Sequence, residues 1–334
     1  MFPCWERSAR RLIDFVGNYP EVEHETRGGK DFERLKTDLE RSFLECEFSR
    51  EIDQVREEIS QYRRICRRVE EVYGIEGIFH SKMFARFLKD YLKHIGSKLP
   101  VLDLARKRVT LESFEKTGLQ GVKRSIQTNL RTLYQNFALL SILVNFSPRE
   151  PEIIFPHHDY IDLRRRVRGE KKLKPNFIID ANGKKYSFFV EGLLGFSGGP
   201  RPDIMVYTRY IEDIRRPNEV GRIVPPDIIV ECKEVQEWYK RERSSRIDSW
   251  WAEFYQRAGG TIRNNKVSVN ELQIIKVYKE IYQPKEMFLV SKVDVPLQIK
   301  ESLEEDGIKV IKNTSFIENR LNEINECLIG LDCL

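Results

Sequence analysis

The stretch Gly198–Glu234, GGPRPDIMVYTRYIEDIRRPNEVGRIVPPDIIVECKE, contains two short apolar runs, Ile204–Tyr207 and Ile228–Val230. Each run is too short for a helix and is bounded by Pro, Gly or charged residues. Runs of this length and composition are typical of buried strands. The stretch therefore predicts two strands of an internal sheet.

Charged residues stand at the ends of these two predicted strands. Asp203 precedes the first strand, and Glu231, Cys232 and Lys233 close the second. Because side chains alternate across a strand, Glu231 and Lys233 fall on one face and Cys232 on the other. If the strands are neighbours, two carboxylates and one ammonium meet at one end of the sheet. A magnesium site for phosphodiester hydrolysis has this composition, since Mg²⁺ binds few carboxylates and keeps water and substrate phosphate as its other ligands.

The two elements resemble the motif of the PD-(D/E)xK nuclease superfamily. Pro202-Asp203 corresponds to the PD element, and Glu231-Cys232-Lys233 corresponds to the ExK element. The resemblance implies an α/β, restriction-endonuclease-like αβββαβ core, a mixed central sheet flanked by helices. It also implies that Mg²⁺ or Mn²⁺ is bound by Asp203, Glu231 and the backbone carbonyl of Cys232. Lys233 would steer the attacking water and offset charge on the scissile phosphate.

The same short motifs occur elsewhere in the chain without this context. Glu170–Lys172 also spells ExK, but it lies in a run of charges with no strand pattern around it. Pro226-Asp227 also spells PD, but it is only four residues before Glu231 on the same predicted strand. Neither copy fits the site.

A long helix is predicted before the motif, from Ile126 to Phe146, because its apolar residues form a broad stripe. Together with the PD and ExK strands, residues 126–282 resemble the McrC-type nucleases of restriction systems, which implies a separate NTPase as a partner. Many relatives carry an acidic residue on this helix, whereas this chain has Gln135. Glu191, at the end of the predicted strand Tyr186–Val190, is the candidate replacement as a metal ligand.

The most basic run of the chain lies between that helix and the motif. Such a run alone is typical of a solvated loop, but beside a nuclease-like motif it favours contact with DNA phosphates. Arg201, directly before the PD element, is a further candidate. The run consists of Arg164, Arg165, Arg166, Arg168, Lys171, Lys172 and Lys174.

The elements around the motif complete the expected core. A hairpin is predicted at Ala181–Gly183, helices over Val235–Ala258 and Val269–Tyr282, and a strand over Met287–Val290. Gln273 and Tyr278 resemble the QxxxY element of several relatives, with one residue more between them.

The N-terminal third is predicted to be helical. Residues 31–73 contain no Gly or Pro, and their apolar positions from Ile52 alternate three and four residues apart. Packing of this seam within its own domain is favoured, and a homodimer through residues 52–73 is the alternative. The predicted domains are a helical accessory domain, 1–120, and a nuclease domain, 121–334. The seam consists of Ile52, Val55, Ile59, Tyr62, Cys66, Val69 and Tyr73.

Composition excludes some classes of protein and favours none of the functions by itself. The 57 basic and 52 acidic residues leave a net charge of only +5. No stretch is apolar enough for a membrane span and no signal peptide is evident, so a cytoplasmic location is expected. Six scattered cysteines without a CxxC pair are typical of reduced thiols.

The sequence thus predicts a metal-dependent nuclease that hydrolyses DNA phosphodiester bonds, in restriction or host defence. One alternative is a nucleic-acid-binding subunit with the same fold and no cleavage. A second alternative is a protein in which Asp203, Glu231 and Lys233 form only an ion-pair cluster.

The basic run yields a first prediction. Replacing Arg165, Arg166 and Arg168 by Gln should flatten the dependence of DNA affinity on salt concentration by about one unit of log–log slope per lost phosphate contact. Fluorescence anisotropy over a salt series measures this slope. The matched control replaces the three arginines of residues 63–67. An unchanged slope would show that the run is a solvated loop.

Overall fold

The structure is a computed structural model that describes residues 3–18, 29–146, 149–156, 158–164, 173–190, 201–214, 223–246, 249–263 and 266–330. It is a mixed α/β protein with a helical N-terminal region and a mixed multi-stranded sheet. The chain divides into two compact units. The first contains residues 1–61 and 82–133, and the second contains residues 62–81 and 134–334.

The first unit is built from helices. Three aromatic residues pack at its centre: the ring centroid of Trp5 lies 5.3 Å from that of Phe43 and 5.5 Å from that of Phe114. Such pairs add to the free energy gained by burying the rings. The helices are α1 (Glu6–Asn18), α2 (Lys30–Glu47), α4 (Lys82–Lys89), α5 (Tyr91–Gly96), α6 (Val101–Ala105) and the first parts of α3 (Ser49–Tyr73) and α7 (Leu111–Val144).

One pair of cysteines differs from the expectation of reduced thiols. Cys4 and Cys46 form a disulfide, with their Cα atoms 6.4 Å apart. Sequence spacing did not indicate this pair, because it is the packing of α1 on α2 that brings the two residues together. The thiols of Cys66, Cys232 and Cys327 are free, as predicted.

The apolar seam of α3 is buried within the chain. Six of its seven residues are buried, and only Cys66 is partly exposed. The seam therefore leaves no apolar stripe on the surface for a partner helix, which favours the prediction of internal packing over the homodimer.

The second unit contains the sheets. The strands are β1 (Gly77–Phe79), β2 (Glu152–Phe155), β3 (Tyr160–Asp162), β4 (Phe177–Ala181), β5 (Lys184–Val190), β6 (Ile204–Tyr207), β7 (Ile228–Lys233), β8 (Glu242–Arg246), β9 (Thr261–Arg263), β10 (Lys266–Asn270), β11 (Glu286–Ser291) and β12 (Lys309–Ile311). The main sheet has seven strands in the order β12-β11-β7-β6-β5-β4-β2. Strands β7, β11 and β12 are parallel, and the other neighbouring pairs are antiparallel. Two smaller sheets are formed by β1-β3 and by β8-β10-β9.

The strand predictions around the motif are confirmed. Strands β6 and β7 are antiparallel neighbours, with Ile204 opposite Val230. The predicted hairpin joins β4 to β5, and its two turn residues have positive φ, 57° at Asn182 and 77° at Gly183. Asn-Gly is favoured in such turns because both residues tolerate this conformation.

Several predicted helix limits are wrong. Helix α7 begins at Leu111 rather than Ile126 and passes through Gly121 without a break. The predicted helix over 235–258 is instead a short 3-10 helix (Trp238–Lys240), β8 and α8 (Ser249–Arg257). Helix α9 (Glu271–Tyr282) begins two residues later than expected, because the preceding residues pair as β10.

The described C-terminal part of the second unit contains two α-helices and the edge strand β12. Helix α10 (Leu297–Glu305) lies between β11 and β12 in the chain, and α11 (Asn322–Gly330) is the last helix of the described residues. In the described ranges, no helix is both long and apolar enough to cross a lipid bilayer.

The buried seam yields a second prediction. Ile59→Ala should lower the free energy of unfolding by roughly 2–5 kcal/mol, because it removes buried methyl groups and leaves a cavity. Ser60→Ala, at the neighbouring exposed position, is the matched control and should change it by less than about 0.5 kcal/mol. Chemical denaturation measures both values. A variant that stays equally stable while changing from dimer to monomer would contradict internal packing.

Candidate active site

The start of β6 and the end of β7 bring Asp203 and Glu231 together. The backbone N–H of Asp203 donates to Glu231 Oε2 at 3.2 Å, and the backbone N–H of Cys232 donates to Asp203 Oδ2 at 2.8 Å. Both acidic residues are 1% exposed. The sequence prediction that these two carboxylates meet at one end of the sheet is confirmed by this geometry.

Lys233 lies in the same cluster. Its ammonium donates to Glu231 Oε1 at 2.8 Å and to Glu271 Oε2 at 2.8 Å. The side chain is buried, and its Nζ lies 5.8 Å from the centre of the Trp238 ring. An aromatic face at this distance attracts a cation, so the ring and the two carboxylates all stabilise the ammonium.

The charge of Lys233 is fixed by these neighbours. Burial by itself lowers the pKa of the ammonium, but the carboxylates of Glu231, Glu271 and Asp203 outweigh burial and raise the pKa above its ordinary value. The side chain therefore remains an ammonium at neutral pH and acts as a donor and a positive charge. It is not available as a base.

Cys232 contributes its backbone to the site. Burial, together with the charges of Asp203 and Glu231, raises the pKa of its thiol, so the side chain is a neutral thiol rather than a thiolate ligand. The N–H and C=O of one strand residue point to the same side of the strand. The carbonyl of Cys232 therefore points towards β6, as its N–H does, whereas the carbonyl of Lys233 points towards β11 and accepts the Lys292 N–H at 2.8 Å.

Helix α7 reaches the site through Gln135. The side-chain amide donates from Nε2 to Asp203 Oδ1 at 2.5 Å, and Gln135 is buried. Both oxygens of the Asp203 carboxylate thus accept hydrogen bonds, one from α7 and one from β7. Position 135, where the resemblance noted in the sequence led to the expectation of an acidic residue, carries a neutral donor.

The contribution of Glu271 was missed in the sequence. It is the first residue of α9, directly after the helix cap Asn270, and it is buried. An acidic residue in the first turn of a helix is common, because it interacts favourably with the helix dipole. The pattern therefore gave no signal that this side chain reaches Lys233.

The residues that resemble a QxxxY element have separate positions. The side chain of Gln273 accepts from the Asn270 N–H at 2.9 Å and completes the capping box of α9. Tyr278 is buried close to the site: burial raises the pKa of its hydroxyl, and the charges of Glu231 and Asp203 raise it further. Tyr278 therefore lies near the carboxylates, whereas the contacts of Gln273 are those of the helix cap.

The second PD copy does not supply a carboxylate to the site, as predicted, and Asp227 has a structural role instead. Asp227 accepts from the Thr208 N–H at 2.8 Å and pairs with Lys285 at 2.8 Å. Burial tends to raise the pKa of this carboxyl, but Lys285 and Thr208 outweigh it and lower the pKa. Asp227 directly precedes the strand that Lys233 ends, so it lies at the opposite end of β7 from the site.

The structure describes only part of the predicted basic and acidic set. Arg164 makes a two-pronged ion pair with Asp162, at 2.9 and 2.8 Å, and its guanidinium lies 5.4 Å from the centre of the Phe79 ring. Lys174 is exposed and Arg201 is partly exposed. Five residues of the basic run and one candidate ligand lie outside the described residues: Arg165, Arg166, Arg168, Lys171, Lys172 and Glu191.

The donor set fits a hard cation only in part. Among the described residues, no group of three or more His, Cys, Asp or Glu side chains is arranged to hold a metal ion. Asp203 and Glu231 do supply two buried carboxylates from the ends of neighbouring strands. The Lys233 ammonium is hydrogen-bonded to one of them, that of Glu231. Two carboxylates with water and phosphate oxygens are sufficient for Mg²⁺, which seldom has a complete set of protein ligands.

No protein-family model, no curated protein and no solved structure matches this chain.

The contact of Gln135 yields a third prediction. Gln135→Glu should place a carboxylate against Asp203 and lower the melting temperature of the metal-free protein through charge repulsion. Mg²⁺ or Mn²⁺ should raise the melting temperature of this variant more than that of the wild type, because a cation bound between the carboxylates relieves the repulsion. Gln135→Met is the matched control, since it removes the hydrogen bond without adding charge. Equal metal-induced shifts in all three proteins would show that no cation binds beside position 135.

Proposed function

We propose that the protein is a metal-dependent nuclease of the PD-(D/E)xK superfamily that hydrolyses DNA phosphodiester bonds. The observation that carries the proposal is the meeting of Asp203, Glu231 and Lys233 at one end of two antiparallel strands. The side chain of Gln135, from α7, donates a hydrogen bond to the Asp203 carboxylate at the same place. The types and chain order of Asp203, Glu231 and Lys233 are those that the resemblance implies, whereas Gln135 stands where it implies an acidic residue.

The order of the elements supports the proposal. In chain order, α7, the antiparallel strands β5, β6 and β7, helix α9 and strand β11, which is parallel to β7, can be matched to an αβββαβ core. Strands β2 to β4 stand between α7 and β5, and β8, α8, β9 and β10 stand between β7 and α9 as insertions in this match. Strands β12, β4 and β2 extend the sheet at its two edges.

The residues of the site can hold a metal ion and a phosphate group. Asp203, Glu231 and the carbonyl of Cys232 would bind Mg²⁺ or Mn²⁺, which when bound supplies a Lewis acid for the phosphate and lowers the pKa of a coordinated water. The Gln135 amide and the Cys232 N–H fix the orientation of the Asp203 carboxylate. Orientation of this kind matters because catalytic groups act only within a narrow geometry.

Lys233 would act on the phosphate through its charge. Its ammonium is kept protonated and in place by buried carboxylates, so it can donate a hydrogen bond and offset the negative charge that develops during attack. Proton transfer from the attacking water would then require another acceptor. Charge stabilisation of this type acts mainly on the transition state and so on turnover rather than on binding.

The proposal extends to partners. The partners would include DNA, because the exposed Lys174 and the partly exposed Arg201 are basic side chains that would contact its phosphates. A role in restriction or host defence, and a separate NTPase as partner, are supported by the likeness of residues 126–282 to McrC-type nucleases.

A non-catalytic nucleic-acid-binding subunit is the second candidate. It is favoured by the neutral amide of Gln135, since one carboxylate fewer faces the candidate metal position. Such a subunit would fold and bind nucleic acid, but it would not cleave it.

Cleavage assays yield the fourth prediction. Wild-type protein should cut plasmid or single-stranded DNA with Mg²⁺ or Mn²⁺, and Lys233→Ala should bind DNA but cut it at least about a hundredfold more slowly, since it loses a charge that acts in the transition state. Asp203→Asn and Glu231→Gln should weaken both metal binding and cleavage. Lys300→Ala, which changes an exposed pair with Glu304 on α10, is the matched control.

The comparison separates the candidates. Equal cutting by wild type and Lys233→Ala would exclude Lys233 from the chemistry. Absence of cutting by folded wild-type protein, with DNA binding retained, would favour the binding subunit.

A further inference from the structure

The ammonium of Lys233 has two carboxylate partners that come from different elements. Glu231 stands two residues earlier on β7, and Glu271 is the first residue of α9. Each accepts a hydrogen bond from Lys233 Nζ at 2.8 Å. The two acids differ in their surroundings, because Glu231 also accepts the Asp203 N–H at 3.2 Å and so belongs to the carboxylate pair of the proposed metal position.

The position of Glu271 is set by its own backbone. Its N–H donates to the carbonyl of Arg241 at 3.0 Å, and the preceding Asn270 caps α9 through a bond from the Gln273 N–H at 2.8 Å. The side chain therefore starts from a fixed point and is buried at the site. Because the backbone of Glu271 is held in this way, its carboxylate can keep the Lys233 ammonium at a fixed position.

A divalent cation on Glu231 and the ammonium of Lys233 would oppose each other. Both are positive and both use oxygens of the same carboxylate, so each weakens the hold of Glu231 on the other. The ammonium needs a second anion if it is to stay at the site when the cation is bound. Glu271 supplies that anion at hydrogen-bond distance.

We propose that Glu271 is a positioning residue that retains the Lys233 ammonium when a divalent cation occupies Glu231. This inference rests on the proposed nuclease function and adds a residue to it. Glu271 lowers the competition between ammonium and cation and holds Lys233 near the phosphate. The ring of Trp238, 5.8 Å from Nζ, assists by stabilising the charge.

A double-mutant cycle on metal affinity tests the inference without requiring cleavage. The four proteins are the wild type, Glu271→Gln, Lys233→Met and the double variant, and calorimetry measures their affinity for Mn²⁺. Glu271→Gln should weaken Mn²⁺ binding by about tenfold when Lys233 is present, because the ammonium then remains on Glu231. In the Lys233→Met background the same change should cost less than about threefold.

Two further variants control for shape and for general loss of charge. Glu271→Asp keeps the carboxylate on a side chain one methylene shorter, and it should lose less affinity than Glu271→Gln. Glu286→Gln removes a carboxylate that pairs with Lys309 at 3.1 Å on the same sheet and should leave affinity unchanged. Melting temperatures show that each protein is folded, and Glu271→Asp replaces Glu271→Gln in the cycle if the Gln variant does not fold. The Asp variant should then show a smaller loss of the same pattern.

The outcomes separate this inference from the proposed function. An equal or larger loss of affinity without Lys233 would make Glu271 a metal ligand and overturn its positioning role. No loss in either background would also overturn it. A folded wild-type protein that takes up no Mn²⁺ would overturn the proposed function, and the inference with it. If DNA is cut, Glu271→Gln should lower kcat with little change in KM, as expected for a residue that acts through Lys233.

Discussion

A buried ammonium shared by two carboxylates is the interaction on which the site depends. Removing charged groups from water is costly, and the cost is met only when the groups are paired at good geometry. Lys233 meets this condition through Glu231 and Glu271, each at 2.8 Å. Because loss of the shared counter-ion would be costly for both acids, the interaction stabilises the approach of the end of β7 to the start of α9.

The cluster lies where the strand pairing of the main sheet changes from antiparallel to parallel. Strand β7 is antiparallel to β6 on one side and parallel to β11 on the other. The end of β7 therefore adjoins the start of β6, where Asp203 lies, and the chain reaches β11 only after α9 has crossed over. Residues from four elements meet there for this reason: Gln135 from α7, Asp203 before β6, Glu231 and Lys233 from β7, and Glu271 from α9.

The sequence was informative where local chemistry determines structure. Short apolar runs identified β6 and β7, alternation placed Glu231 and Lys233 on one face, and Asn182-Gly183 identified the hairpin. These features depend on residues close together in the chain. They sufficed to predict that Asp203 and Glu231 meet.

The remainder depended on contacts between distant residues. The sequence carried no mark that Glu271 meets Lys233, 38 positions earlier, because a helix start with an acidic residue is common. The start of α9 was misplaced because Val269 directly precedes the apolar pattern of the helix, and its pairing with Arg243 of β8 shows that it belongs to β10. Cys4 and Cys46 were likewise joined by helix packing rather than by spacing.

The small sheet β8-β10-β9 supports the start of α9, which carries a residue of the site. Strand β10 ends at Asn270, the cap of α9, and the next residue is Glu271, whose N–H is bonded to the carbonyl that immediately precedes β8. The carboxylate that accepts from Lys233 thus belongs to the residue that directly follows strand β10 of this small sheet. The pairing of β8 with β10 therefore helps to set where the carboxylate of Glu271 lies relative to the end of β7.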